Sequence, residues 1–258
     1  TTTVHRARHT TRLGERPHTA TLELQVQASL GEDFRVELPG DAEVTTLRVR
    51  DQELPVRRDG DAIVIQLRPG DQDLQLSWKT PAALGLTTRT DAVKLPVQAS
   101  NITTFVKMPE SRWLLWADGP RRGPAVRFWS ILIAAALFGM VLARIQRSPL
   151  RAYEWTLLLL GFLQLPLMFG GGVVIWFFAM AWRGSFTTSK MPVPRYNLMQ
   201  GALTGASVIA LLCMLAVVHQ GLLGRPEMFV AGYGSTTDSL QWFQDRTADM
   251  HLPQPMIL

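Results

Sequence analysis

Few residues in this chain have the type and spacing that enzyme chemistry requires. His5 and His9 are four residues apart, a spacing that lets two histidines share a metal ion if the segment is helical. The surrounding threonines and arginines do not favour a helix, so we expect no metal site there. Cys213 is the only cysteine, which excludes an internal disulfide and a cysteine-based metal site.

No known catalytic set can be recognised in the sequence. It contains no serine–histidine–aspartate arrangement, no paired carboxylates in an apolar setting and no glycine-rich phosphate loop. We therefore expect a protein that is not an enzyme and that binds no cofactor or metal. Asp245, Arg246 and His251, in the polar C-terminal segment, are the residues whose replacement would test an enzymatic alternative.

Polar residues inside the apolar segments are a second class of candidates. Gln164, Gln200 and His219 would be functional candidates if they were buried in a membrane. Each lies near a predicted helix end, which favours structural hydrogen bonding instead. The acid Glu154 has Arg151 three residues before it as an ion-pair partner.

The organisation of the chain depends on residues 155–182, none of which is charged. As one helix they would span about 42 Å, whereas the hydrocarbon core of a bilayer is about 30 Å thick. Pro166 and the glycines Gly170, Gly171 and Gly172 oppose helix formation and predict a turn between two membrane helices. The alternative is one long tilted helix with a proline kink.

Basic residues on both sides of this stretch favour the hairpin. They are Arg144, Arg147 and Arg151 before it, and Arg183, Lys190 and Arg195 after it. A hairpin places both groups in one compartment, the cytoplasm, as the positive-inside rule requires. The predicted transmembrane helices cover residues 126–145, 149–168, 172–187 and 198–223.

The N-terminal half has the period-two pattern of β-strands. Leu22, Leu24 and Val26 alternate with polar residues, and Asp59-Gly60 lies between two strand-like segments, as in a hairpin. Strands recur about every ten residues, which is typical of an all-β sandwich. The predicted segments are an extended lead-in at 1–18, a periplasmic β-sandwich at 19–110, an interfacial linker at 111–125 and a periplasmic tail at 224–258.

Tryptophans and small residues suggest how the helices sit in a bilayer. The predicted interface anchors are Trp113, Trp116, Trp129, Trp155 and Trp182. Gly201 and Gly205 form a GxxxG pattern, which lets helices approach closely. We expect this pair to pack within the chain's own bundle, with oligomerisation as the alternative.

Charge is distributed unevenly. The chain carries 15 basic and 16 acidic residues up to Asp118, then 11 basic and 5 acidic residues. The net charge of +5 therefore belongs to the membrane half and reflects topology. No basic stripe with interleaved aromatics is present, so we expect no nucleic-acid partner.

Several motifs between Trp113 and Arg246 occur in an order that is found in a known protein family. They are Trp113-Leu114-Leu115, Gly123-Pro124-Ala125-Val126, Trp155-Thr156-Leu157, Trp176-Phe177-Phe178 and Gln220-Gly221-Leu222-Leu223-Gly224. This part of the chain resembles the C-terminal region of large uncharacterised proteobacterial inner-membrane proteins with periplasmic β-domains. The resemblance implies a longer chain and carries no catalytic residue.

The expected architecture is an α+β membrane protein with an N-terminal all-β sandwich followed by a four-helix transmembrane bundle. We expect a multi-pass protein of the bacterial inner membrane whose β-domain and tail are periplasmic. Its expected function is that of a non-enzymatic envelope protein, with the β-domain as a binding or assembly module. The expected partners are the lipid bilayer and another envelope protein. The alternative is a subunit of a transport or lipid-handling system in which the 155–182 hairpin lines a pathway.

Overall fold

The computed structural model describes residues 1–14, 17–81, 85–109, 113–146, 148–163, 166–185, 192–223 and 228–258. The chain forms two compact units. The β unit combines Thr1–Arg127 with Met228–Leu258, and the helical unit comprises Phe128–Glu227.

The secondary structure follows this division. The strands before the helices are β1 (Thr2–Arg12), β2 (His18–Ala28), β3 (Asp33–Glu37), β4 (Glu43–Val49), β5 (Gln52–Glu53), β6 (Arg57–Asp59), β7 (Ala62–Gln66), β8 (Gly70–Thr80), β9 (Thr88–Arg89), β10 (Ser100–Lys107), β11 (Ala117–Asp118) and β12 (Ala125–Val126). The remaining elements are α1 (Phe128–Arg144), α2 (Ala152–Phe162), α3 (Leu167–Gly184), α4 (Val193–Leu223), β13 (Val230–Ala231), β14 (Ser239–Arg246) and β15 (Met256–Ile257).

The β unit is built on a seven-stranded sheet with the spatial order β14-β10-β1-β2-β8-β4-β5. Alternate residues of β2 and β8 point inward, so Leu22, Leu76 and Trp78 are buried while their neighbours face solvent. These side chains share one apolar core with Phe34 and Ile65 of the three-stranded sheet β3-β7-β6. The two sheets therefore enclose the main core between them.

The extended lead-in predicted for residues 1–18 is wrong, because β1 is an inner strand of the main sheet. It pairs antiparallel with β2 and parallel with β10. Its inward positions include Val4, Ala7 and His9, and a bulge between Val4 and Arg6 shifts the alternation. Because few inward residues of β1 are strongly apolar and the bulge shifts the alternation, the sequence of this strand shows no clear period of two.

The C-terminal segment, predicted as a periplasmic tail at 224–258, completes the β unit. Strand β14 pairs antiparallel with β10, with Trp242 opposite Thr104. Strand β15 joins β11 and β9 in a small sheet, and β13 pairs with β12. Leu240 and Trp242 form a second, smaller apolar core with Leu114 and Val106.

The predicted four-helix transmembrane bundle is wrong. Helix α2 has 11 residues and α1 has 17, lengths of about 16 and 26 Å against a hydrocarbon thickness of about 30 Å. In the described part of the chain, only Val193–Gln220 within α4 is long and apolar enough to cross a membrane. Phe128–Arg144 and Met168–Gly184 are shorter apolar helices.

The stretch 155–182 contains two helices, but the predicted turn is misplaced. Helix α2 ends at Phe162 and α3 begins after Pro166, whereas Gly170, Gly171 and Gly172 lie inside α3. The two helices fold back on each other, since Trp155 stacks on Phe178 at 5.5 Å. A Cβ on Gly170 would lie 3.0 Å from Phe162, which places the centre of the hairpin near Pro166.

Candidate functional site

Four of the five predicted interface tryptophans have exposed side chains. Trp113 and Trp116 lie in the β unit, and Trp129 and Trp182 lie on α1 and α3. Trp155 is fully buried, so its assignment as an interface anchor is wrong. Its indole Nε1 donates to Ser148 Oγ at 2.8 Å, and its ring packs between helices.

The sequence had suggested that the GxxxG pair on α4 packs within the chain's own bundle, but no described residue packs on it. A Cβ on Gly201 or Gly205 would meet no described atom within 4 Å. The large residues around this pair are also exposed, with Leu198 at 75% and Ile209 at 62%. This face of α4 is therefore open in the described structure.

The predicted polar candidates are scattered and do not form a common site. Gln164 lies outside the described residues. Gln200 is partly buried on α4, and His219 is exposed near its end. Glu154 accepts a hydrogen bond from the Arg151 backbone nitrogen at 2.7 Å and so caps α2.

The polar C-terminal candidates also have separate partners. Asp245 pairs with Arg122 at 3.2 Å, and His251 lies 3.3 Å from Asp249. A hydrogen bond from the His251 backbone nitrogen lowers the pKa of the Asp249 carboxyl. Within the described ranges, no three histidine, cysteine, aspartate or glutamate side chains are grouped as metal ligands.

One cluster of polar side chains is buried at the inner face of the main sheet. His9 is fully buried and stacks on Trp78 with ring centroids 5.6 Å apart. Asp91 Oδ2 accepts hydrogen bonds from Trp78 Nε1 at 2.7 Å and from Thr80 Oγ1 at 2.8 Å. Burial lowers the pKa of His9 to about 4, although the nearby Asp91 acts in the opposite direction.

His18 extends this buried cluster. Burial also lowers the pKa of His18, again opposed by Asp91. His18 Nε2 and His9 Nδ1 have no hydrogen-bond partner among the described atoms. The imidazole of His9 is shielded from solvent, which favours its neutral form. A large substrate could not contact this ring.

The outer face of the main sheet offers a more accessible surface. A groove of about 260 Å³ crosses strands β1, β2, β8 and β4. Its polar lining residues are Arg6, Arg8, Glu23, Gln25, Arg48, Asp51, Asp73 and Gln75. The strand register places Arg8, Glu23, Gln75 and Arg48 side by side in one row. We call this surface the sheet groove.

Side-chain contacts fix part of the sheet groove. Arg8 lies 3.5 Å from Glu23 and its guanidinium lies 5.8 Å from the centre of the Phe105 ring. Both groups of the ion pair are about half exposed, so they remain available to a polar partner. Sequence analysis missed this surface because its residues are adjacent only after the strands have paired. The alternation of Arg6 and Arg8 with buried residues was the available signal.

A second exposed surface surrounds the C-terminal strand β14. The Arg122 guanidinium pairs with Asp245 and lies 5.8 Å from the Phe243 ring centre. The Trp242 indole fits against two glycines, because a Cβ on Gly119 or Gly123 would lie within 2.6 Å or 2.3 Å of it. This fit fixes the segment that leads from β11 to β12.

No protein-family model matches this chain, and no curated protein matches it. Solved structures of larger enzymes are similar to parts of it. The M1 zinc metallopeptidase from Deinococcus radiodurans is 13% identical with a TM-score of 0.35, over 47% of this chain and 35% of that chain.

Two further solved structures are similar at the same level. Aminopeptidase A from Legionella pneumophila is 10% identical with a TM-score of 0.37, over 47% of this chain and 18% of that chain. Leukotriene A4 hydrolase from Saccharomyces cerevisiae is 6% identical with a TM-score of 0.34, over 47% of this chain and 25% of that chain. The chain thus spans about a third or less of each of these enzymes.

Proposed function

We propose that this chain is a membrane-anchored cell-envelope protein whose β unit is a binding or assembly module and not an enzyme. The observation that carries the proposal is the exposed apolar surface of α4. Leu198, Ile209 and Leu212 are each more than half exposed on this helix. Contiguous apolar surface of this size is unfavourable in water and is suited to a lipid environment.

The path of the chain constrains how it crosses the bilayer. The helical unit begins after Arg127 and ends before Met228, and both flanks belong to the same β unit. Strands β10 and β14, one from each flank, are hydrogen-bonded neighbours and so lie on the same side of a membrane. A chain that is anchored by α4 must therefore cross the membrane an even number of times.

Helix α3 is the candidate for the second crossing because it packs against α4. It has 18 residues, a length of about 27 Å. It is somewhat shorter than the hydrocarbon thickness of about 30 Å, a mismatch that a bilayer can meet by local thinning. Trp176 Nε1 on α3 donates to Ser207 Oγ on α4 at 3.0 Å, and Val173 shares an apolar cluster with Ala210. These pairs run in opposite directions along the two helices, as expected for antiparallel neighbours.

The charges at the ends of α3 and α4 support an orientation. Arg183 is in the last turn of α3 and Arg195 in the first turn of α4, with Lys190 between them in the sequence. Positive residues favour the cytoplasmic side. We therefore propose that the β unit lies in the periplasm of a bacterial inner-membrane protein.

The sheet groove supports a binding role for the β unit. It is exposed, carries both charge signs and rests on four paired strands, so its side chains are held on a rigid base. A polar, mixed-charge surface is suited to another envelope protein. The transport alternative depended on an unwound glycine segment, and α3 is helical through Gly170–Gly172.

Cysteine labelling tests the anchor and its orientation. In a Cys213→Ser background, Leu30→Cys reports on the β unit and Ser185→Cys on the end of α3. An impermeant maleimide should label position 30 in intact spheroplasts and position 185 only after lysis. Labelling of both positions before lysis, or release of the chain by alkaline carbonate, would contradict the proposal.

A further inference from the structure

Two tryptophans of the β unit are exposed on an ordered segment. Trp113 is 59% exposed and Trp116 is 55% exposed, whereas Leu114 between them is 1% exposed. The backbone nitrogen of Trp116 donates to the Leu258 carbonyl at 3.2 Å, and Leu258 donates back to Trp116 at 2.9 Å. The fold therefore holds both indoles outward, although apolar groups of this size are normally buried.

These indoles lie at the end of the β unit from which both connections to the helices leave. Strands β12 and β13 pair there, and the Arg127 nitrogen donates to the Phe229 carbonyl at 3.3 Å. Val126 and Val230 of this ribbon pack on the small core that contains Leu114. Since Phe128 begins α1 directly after Arg127, this end of the unit is the one next to the apolar helices in the chain.

Exposed basic side chains follow the tryptophans along the same stretch of chain. Arg121 and Arg127 are exposed, and Arg122 is exposed but paired with Asp245. Asp118 is the acidic residue of this segment, and its Oδ1 accepts a hydrogen bond from the Gly119 nitrogen at 2.8 Å. Guanidinium groups bind phosphate oxygens well, and indoles favour the headgroup region of a bilayer.

We infer that Trp113, Trp116, Arg121 and Arg127 form a headgroup-docking surface that holds the β unit against anionic phospholipids. This inference rests on the proposed anchoring of the chain by α4. It adds a second membrane contact made by the β unit itself. The combination of covalent continuity with the helices and complementary charge favours lipid over a protein as the occupant.

Hydroxyl-radical footprinting of the full chain in nanodiscs tests the inference. Trypsin releases residues 113–121 as one peptide, which contains Trp113 and Trp116 and no other tryptophan. Relative to the exposed Met250, oxidation of this peptide should be slower in phosphatidylglycerol than in phosphatidylcholine nanodiscs, by roughly tenfold. In the double variant Arg121→Gln/Arg127→Gln trypsin cuts after Arg122 instead, and the resulting peptide 113–122 should lose this difference. The control Arg57→Gln/Arg68→Gln, at two exposed arginines elsewhere in the unit, should keep it.

The possible outcomes separate this inference from the proposed function. If the chain does not co-elute with nanodiscs, the anchoring proposal fails. If it co-elutes and the peptide oxidises equally in both lipids, headgroup docking is wrong while anchoring stands. Protection that appears only in native membranes with their proteins would also overturn the inference, in favour of a protein occupant.

Discussion

His9 is a neutral histidine inside a sheet, and this state should make the β unit sensitive to acid. Burial lowers its folded pKa to about 4 from the ordinary 6.5, and Asp91, the titratable group that acts in the opposite direction, acts in the same way on His18. The unfolded chain therefore binds a proton more readily between these pH values. Stability should fall as the pH drops from about 6.5 towards 4, by up to about 3 kcal/mol.

Guanidinium unfolding in mild detergent at pH 7.5 and 4.5 measures this effect through the near-ultraviolet dichroism of the tryptophans. His9→Phe keeps a ring against Trp78 and removes the titrating group, so it should reduce the pH dependence. His5→Gln, on the exposed face of β1, is the matched control. An unchanged pH dependence in His9→Phe would show that other groups are responsible.

The position of His9 inside the sheet, and its partners there, could not be predicted from the sequence. Its spacing from His5 raised the question of a shared metal, but β1 places His9 inward and His5 outward. The partner Asp91 is 82 positions away in the sequence, and no local pattern connects the two residues. Strand pairing brings Trp78 to the ring, and Asp91, which lies in the loop after β9, is hydrogen-bonded to that indole.

Two glycines of the helical unit, Gly139 and Gly171, have different surroundings, so replacement by alanine should affect the packing of their helices differently. A Cβ on Gly139 would lie 2.5 Å from Thr156 Oγ1 and 3.0 Å from the Ala152 carbonyl oxygen, whereas Gly171 has no described atom within 4 Å. Gly139→Ala should therefore force α1 away from α2 and lower the melting temperature in detergent. Gly171→Ala should raise stability by about 0.5–1 kcal/mol, because alanine favours a helix.

The two glycine variants serve as controls for each other. If Gly171 formed a turn, as its sequence suggested, alanine there would be the damaging change. A lower melting temperature for Gly171→Ala with an unaffected Gly139→Ala would contradict the helical assignment of both positions. The measurement thus tests the hairpin geometry directly.

Elements with a strong hydrophobic pattern could be predicted from the sequence, and those with a weak one could not. Strand β2 alternates Leu22, Leu24 and Val26 with charged or amide residues and is found as predicted. Strand β1 buries histidine and threonine beside Val4 and Ala7, so its alternation is only weakly hydrophobic. For the helices, composition predicted the apolar segments but not their bounds, since hydropathy does not report where a helix ends. Helices α1 and α2 are shorter than predicted, whereas α3 and α4 are longer.

The C-terminal segment pairs with the main sheet and fills the small core, so its buried residues should contribute to the stability of the whole β unit. Trp242 is 2% exposed and joins β14 to the small core, while Trp116 is 55% exposed in the same unit. Trp242→Ala should lower the free energy of unfolding by about 3–5 kcal/mol. Trp116→Ala should change it by at most about 0.5 kcal/mol.

Chemical denaturation of the two tryptophan variants in detergent provides the measurement. Limited proteolysis should cut the β unit of Trp242→Ala faster, because β10 loses support from its neighbour β14. Equal stability of the two variants would mean that residues 228–258 contribute little to the unit. The sequence predicted a tail at 224–258, and its place beside β10 could not be foreseen from a local pattern.

The pairing of β10 with β14 also sets an order of events during synthesis. Lys107 ends β10 and Ser239 begins β14, so about 130 residues separate them. At ribosomal rates of about 5–20 residues per second, β10 waits roughly 7–26 s for its neighbour. During that interval its unpaired edge is exposed to other chains while the helices are still being synthesised. A nascent β unit of this kind would gain from a chaperone that covers the β10 edge until β14 arrives.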